Sequence, residues 1–203
     1  MLPFEPAQWH ASMHPTDLNI SPTTSPKGLL SLVLHDGKLI SITQIASENA
    51  VTFKTIRLQA LQDAPTAFCS TYAQGCQISD DEWRNRAAQC ATETSPGYLA
   101  MDGDEACGIA RATPDDQDPN TAWLESMWVA PSHRRLGVGS LLIAQIAAWA
   151  SRRGIHTLKL SVTSNNESAI SFYRRLGFSP TGNTEPYRND PTLFELEMAK
   201  PFS

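Results

Sequence analysis

A chain of 203 residues, 41% hydrophobic and 18% charged, has room for one domain with an ordinary apolar core. Neither disulfides nor a structural metal is then required. With 16 Lys+Arg against 21 Asp+Glu the formal charge is −5, which argues against a dedicated nucleic-acid binder, whose footprint is a basic excess. Cys69, Cys76, Cys90 and Cys107 contain no Cys-x-x-Cys pair and read as buried small side chains in a reducing compartment. The opening Met1-Leu2-Pro3-Phe4-Glu5-Pro6 lacks the basic and apolar regions of a secretory signal, and nowhere do about 18 apolar residues run together. A cytoplasmic protein with no membrane or nucleic-acid partner is expected.

In chain order, five of the 14 prolines (Pro3, Pro6, Pro15, Pro22, Pro26) fall in the first 26 residues, among polar residues without apolar periodicity. Residues 1–28 therefore read as an extension, flexible or packed along the surface, and 29–203 as the folded domain. Apolar runs on both sides of Asp36-Gly37 predict a hairpin. Ser47 or Asn49 then caps a helix marked by Val51, Phe53, Ile56, Leu58 and Leu61, which Asp63-Ala64-Pro65 stops. A more polar helix follows Asp80 and carries Trp83, Arg84 and Arg86. Residues 98–101 and 106–110 bracket a second hairpin turn, and 121–129 read as a strand. An amphipathic helix over 136–152, a strand over 156–162, a helix over 166–176 and a strand over 193–199 complete the pattern. Hairpins early and strand–helix alternation late predict an α/β domain with a mixed central sheet flanked by helices.

Two segments carry chemistry. In the first, Arg134-Arg135-Leu136-Gly137-Val138-Gly139-Ser140 lies between a strand and a helix. Glycines there let an anion approach the backbone, the amides of the first helical turn point at it, and the arginines add donors suited to phosphate. A diphosphate is the natural occupant; a glycine turn with two solvated arginines is the plain alternative. Gly-x-x-x-x-Gly-Lys-Ser/Thr is absent, which excludes a P-loop. Gly137-Val138-Gly139 begins a dinucleotide fingerprint, but Leu142 replaces its third glycine and the next strand ends without an acidic residue, against a nicotinamide oxidoreductase. In the second segment, Asn166 caps a helix whose inner side is Ala169, Ile170, Phe172 and Tyr173 and whose end is Gly177. Tyr173 taken alone reads as a core aromatic.

Together, Arg134-x-x-Gly137-x-Gly139 and Asn166-x-x-Ala169-x-x-Phe172-Tyr173-x-x-x-Gly177-Phe178 resemble the two cofactor motifs of the GNAT superfamily of acetyl-CoA-dependent N-acetyltransferases, in order and in spacing. The similarity runs over about residues 39–200 and includes Asp63-Ala64-Pro65-Thr66-Ala67-Phe68. It implies a mostly antiparallel sheet splayed at a cofactor wedge. It also implies transfer of acetyl from acetyl-CoA, without a metal, to a primary amine of a small molecule or peptide by direct attack in a ternary complex. Met127, Trp128 and Val129 would face the pantetheine arm, and the amides of Arg135, Leu136, Gly137, Val138, Gly139 and Ser140, with Arg134, the pyrophosphate. Asn166 would contact the pantetheine side, and Tyr173 would protonate the leaving thiolate. Glu125, two and four residues from Met127 and Val129, is the candidate base if strand alternation holds and an outward surface residue if a bulge breaks it. His133 reads as solvated, and Phe68 and Trp83 as core residues near the acceptor pocket. The other reading is a catalytically silent acyl-CoA sensor. The acceptor pocket would draw on residues 63–97, 113–121 and 180–191, and a homodimer is the commonest assembly.

Overall fold

The computed structural model describes residues 28–202. The extension expected over 1–28 therefore lies, apart from Gly28, outside the described residues. Strands β1 (Ser31–Val33) and β2 (Leu39–Gln44) close the first hairpin around Asp36-Gly37. A 3-10 turn at Ser47–Asn49 leads into α1 (Ala50–Asp63). The Asn49 side chain accepts from Ala46 N and donates to Gln44 O, fastening the helix start to the end of β2. A short α2 (Tyr72–Cys76) and α3 (Asp80–Gln89) follow, the latter capped by Ser79, which accepts from Glu82 N at 3.2 Å. Strands β3 (Gly97–Asp102), β4 (Glu105–Pro114) and β5 (Thr121–Val129) form the meander that α4 (Val138–Arg152) packs behind. Then come β6 (Thr157–Thr163), α5 (Glu167–Arg175), β7 (Ser179–Pro186) and β8 (Phe194–Pro201).

The eight strands run in the order β1-β2-β3-β4-β5-β6-β8-β7. Every neighbouring pair is antiparallel except β5 with β6. That parallel pair holds only from Thr121↔Thr157 to Trp123↔Lys159, whereas β6 pairs with β8 from Thr157↔Pro201 through Thr163↔Glu195. Past Trp123 the facing edges of β5 and β6 therefore part, and the expected splay is present. Helices cover both faces of the sheet. On one, Val138, Leu141, Leu142, Ile146 and Trp149 of α4 pack on strand residues that include Ala110, Ala122, Leu124 and Leu160. On the other, Phe53, Ile56 and Leu61 of α1 and Trp83 of α3 pack on Leu99, Ile109 and Trp128. Gln145, fully buried in α4, accepts from Leu30 N at 2.9 Å, which holds the start of the described chain to the first core.

Some elements differ from the sequence pattern. Strand β7 falls where no element is expected, overlapping the 180–191 segment assigned to the acceptor pocket; all eight of its residues are exposed, so no alternation marks it. Helix α2 has five residues, too few for a periodic signal. Val51 points outward at 76% exposure, and α4 begins at Val138 with Leu136 exposed ahead of it. Of the four thiols expected to be buried, Cys90 and Cys107 are and Cys69 and Cys76 are exposed; none is in a disulfide. Among the described residues no helix is long and apolar enough to cross a membrane.

Candidate active site

The opening between β5 and β6 is shaped by a bulge. Register with β4 shifts between Ile109↔Trp128 and Arg111↔Glu125, and Ser126 takes a left-handed φ of 55°. One extra residue reverses the alternation. Ala122 and Leu124, then Met127 and Val129, lie with the α4 core, while Trp128 belongs to the α1/α3 core. Glu125 thus faces away from Met127 and Val129, which corrects the shared face that unbroken alternation gives. Ala130 N donates to Cys107 O on β4 at 2.9 Å. Backbone groups of an antiparallel strand alternate in direction, so those of Val129 and Met127 turn to the open edge and those of Trp128 turn to β4. Consistent with this, Val129 O accepts from Arg134 Nε at 3.0 Å rather than from β4.

At the mouth of this opening stands the start of α4. Its first helical bond runs from Leu141 N to Gly137 O at 3.0 Å, which leaves the amides of Val138, Gly139 and Ser140 without a partner inside the helix. The N-cap is Gly137, with a φ of 88°, and no side chain covers those donors. Arg135 also has a left-handed φ, 64°, and is exposed. A Cβ on Gly139 would lie 2.9 Å from Phe172 Cζ and 3.2 Å from Met127 Cε, so glycine lets α4, α5 and β5 converge. Arg134, expected to face phosphate, has its guanidinium on Asp63 as well as on Val129 O, and Asp63 also accepts from Trp128 Nε1 at 2.8 Å. Asp63 therefore ties α1, β5 and the loop together; from the sequence it read only as a helix stop.

On α5 the Asn166 Oδ1 accepts from Ala169 N at 3.1 Å, as an N-cap should. Gly177, with a φ of 88°, ends the helix, and Phe178 N returns to Tyr173 O at 3.0 Å. Tyr173 is buried between Phe172 and Phe178, with ring centroids 5.4 and 5.7 Å away. Its hydroxyl has no hydrogen-bond partner among the described residues. Burial raises its pKa from the ordinary phenol value, so the hydroxyl keeps its proton.

Glu125 accepts from Thr113 Oγ1 at 3.1 Å and lines a cavity of about 640 Å³ with Trp123, Ser161, Glu185, Glu195 and Glu197. The loop after β7 reaches across to the one after α1: Tyr187 donates to Phe68 O at 2.8 Å, and Asn189 Nδ2 reaches Cys69 O at 3.2 Å. Phe68 and Trp83 are both buried. His133, expected to be solvated, has a side chain only 16% exposed, with Nε2 3.1 Å from Asp102 and Nδ1 2.8 Å from Ser132 Oγ. That hydrogen bond, with Lys38 nearby, holds the Asp102 carboxyl below the usual range.

A splayed parallel strand pair, an uncapped helix start beside it and a glycine contact joining three elements together make an opening lined by unpaired backbone donors. Comparison with known proteins places this fold in a family. The acetyltransferase (GNAT) family model matches residues 58–178. Streptothricin acetyltransferase of Streptomyces lavendulae is 44% identical over 59 residues, 29% of this chain and 31% of that protein. The chain spans less than half the length of this and two further curated relatives, both uncharacterized N-acetyltransferases, from Bacillus subtilis and Methanocaldococcus jannaschii. Among solved structures, a GNAT-family acetyltransferase from Streptococcus pneumoniae superposes with a TM-score of 0.69 at 18% identity, over 81% of this chain and 99% of that one. An N-acetyltransferase from Thermoplasma acidophilum in complex with coenzyme A gives 0.65 at 16% identity, over 80% and 99%. On the fold, the two motifs and a match over more than half its length, the chain belongs to the acetyltransferase (GNAT) family.

Proposed function

We propose that the protein is an acetyl-CoA-dependent N-acetyltransferase acting on a primary amine of a small molecule or peptide. The observation that carries this reading is the convergence at Gly139 of the open α4 N-terminus, Met127 on the unpaired edge of β5, and Phe172 beside Tyr173. A Cβ would fill that space, and the donors around it suit a diphosphate and an extended amide-bearing arm. When bound, acetyl-CoA supplies the acetyl thioester. The amides of Val138, Gly139 and Ser140 hold the pyrophosphate, with Arg135 adding charge and the backbone of Arg135, Leu136 and Gly137 shaping the turn. Arg134 positions that loop through Asp63 and Val129 O. The outward backbone groups of Met127 and Val129 pair with the arm, while Trp128 anchors the strand beneath them. Asn166 keeps its Nδ2 free for the same arm.

In the transfer the amine forms a C–N bond as the C–S bond breaks. A backbone N–H of β5 stabilises the charge that builds on the acyl oxygen. Tyr173 Oη donates its proton to the departing sulfur, and a carboxylate, Glu125 directly or through water, takes the proton the amine sheds. Glu125 does this from the acceptor side, the face opposite Met127, where the cavity lies. The test is thiol release from acetyl-CoA across a panel of amines. Amine-dependent release is expected; tight acetyl-CoA binding with no turnover on any amine would overturn the enzyme reading in favour of a sensor.

A further inference from the structure

The face of β4 and β5 that carries Glu125 also holds a pair of arginines without a use in the transfer step. Arg57 of α1 is within electrostatic reach of Arg111 of β4 and of Glu125. Arg111 is also the cross-strand partner of Glu125. Yet Glu125 accepts from Thr113, and neither arginine has an ion pair or hydrogen bond among the described residues. Arg57 Nη1 and Arg111 Nε are buried with no acceptor among the described residues. Arg84, Arg86 and Arg134 differ in that each holds a carboxylate, of Asp81, Glu82 and Asp63. Buried donors left unmatched carry the full cost of lost hydration. Burial first and the Arg111 charge second lower the Arg57 pKa to about 10.

The Arg57 guanidinium is backed by an aromatic ring, and the Arg111 stem by the backbone of β3. Arg57 stacks on the Phe68 ring at 4.3 Å from its centroid, and the Arg111 stem packs against Gly97, where a Cβ would meet Arg111 Cγ at 3.2 Å. The planar donor edge of a guanidinium matches a planar carboxylate. Across Glu125 the charge reverses: Glu185, Glu195 and Glu197 line the cavity, and burial together with the charge of Glu185 raises the Glu195 pKa. Glu125 thus marks the border between a basic and an acidic region. We propose that the acceptor is zwitterionic, an amino acid whose free carboxylate binds Arg57 and Arg111 while its amine lies on the acidic side at Glu125. This rests on the acetyltransferase reading above and narrows it from amines in general to amines that bear a carboxylate.

The experiment takes the full-length protein with CoA, measures binding of α-amino acids and of their carboxamides by ligand-observed NMR, and in parallel measures acetyl transfer to both sets. At least one acid is expected to bind and to be acetylated with kcat/KM about tenfold or more above its carboxamide, the size of a charge-assisted hydrogen bond. Arg57→Gln and Arg111→Gln should each raise its KM by about tenfold or more and erase the preference over the carboxamide, with the KM for acetyl-CoA unchanged. Arg57→Lys should retain part of the preference, which also guards against a variant that fails to fold. Acids and carboxamides used alike, no acid bound, or a preference that survives both glutamine variants would overturn the zwitterion assignment and leave acetyl transfer standing. Acids bound through the two arginines but never acetylated would do the reverse.

Discussion

At Tyr173, burial raises the phenol pKa and so keeps the proton on the oxygen, and that hydroxyl has no hydrogen-bond partner among the described residues. Both facts suit a donor that waits for a ligand sulfur. Tyr173→Phe is expected to lower kcat by about tenfold or more with the KM for acetyl-CoA unchanged. Equal turnover in the two proteins would remove the role. Because the phenol titrates above its ordinary value near 10, any fall in activity between about pH 8 and 10 belongs to another group. Glu125→Gln keeps the bond to Thr113 within reach of its amide oxygen and removes only the proton-accepting charge. A fall in kcat with the fold intact is the expected result, and wild-type turnover across the pH range would exclude it as the base.

At the scale of elements, the loop before α4 is held by one carboxylate. Removing it in Asp63→Ala would orphan the indole N–H of buried Trp128, at a cost of about 1–3 kcal/mol. The Arg134 pair is half exposed and contributes far less. Chemical denaturation of Asp63→Ala and Arg134→Ala should therefore show the larger loss in the first. Equal losses would mean that the ion pair, not the indole, is what Asp63 holds. Gly139→Ala tests the three-way contact: its Cβ at 2.9 Å from the Phe172 ring forces movement next to Tyr173. The expected readout is a higher KM for acetyl-CoA and a lower kcat, and wild-type values for both would show that the ring yields without cost. In α5, by contrast, cap and stop lie within the motif itself, and Asn166 and Gly177 read correctly because capping is local backbone chemistry.

For the whole molecule, two cores on opposite faces of one sheet sort the thiols. Cys90 and Cys107 are sealed in, and desolvation raises both, Cys107 to about 12. Cys69 and Cys76 stand at the surface of the helical side. A disulfide reagent at pH 8 should therefore titrate the two exposed thiols in the native protein and all four after unfolding; fast reaction of Cys107 would contradict the packing of β4 against α4. The same shifts act on stability. Below the ordinary thiol range, near 9, both groups are protonated folded and unfolded, and their burial contributes in full. Above it the unfolded chain ionises while the folded one resists, so stability falls as pH climbs toward the folded values. At the acid end Asp102 acts in the opposite sense. Its depressed pKa stabilises the β3–loop contact above the usual carboxylate range, and that contribution is lost as pH drops through the folded value.

The part of this protein that is legible in its sequence is what neighbouring residues settle among themselves. The glycines at 137 and 139, the Asn166 cap and the Gly177 stop are steric and hydrogen-bonding requirements that act over one helical turn, so their spacing is enough to read the family resemblance and the ends of both helices. Residues on facing elements were beyond that reach. The bulge at Ser126 that turns Glu125 to the other face depends on how β4 and β5 pair, not on either strand. Asp63 meets Trp128 and Arg134, and Arg57 meets Arg111, only because α1 is laid across the sheet. Strand β7, exposed throughout, exists because β8 supplies its ladder. Tertiary structure decided those points because a charge or a hydrogen bond has its effect through the partner that folding brings to it, and periodicity along the chain carries no record of that partner.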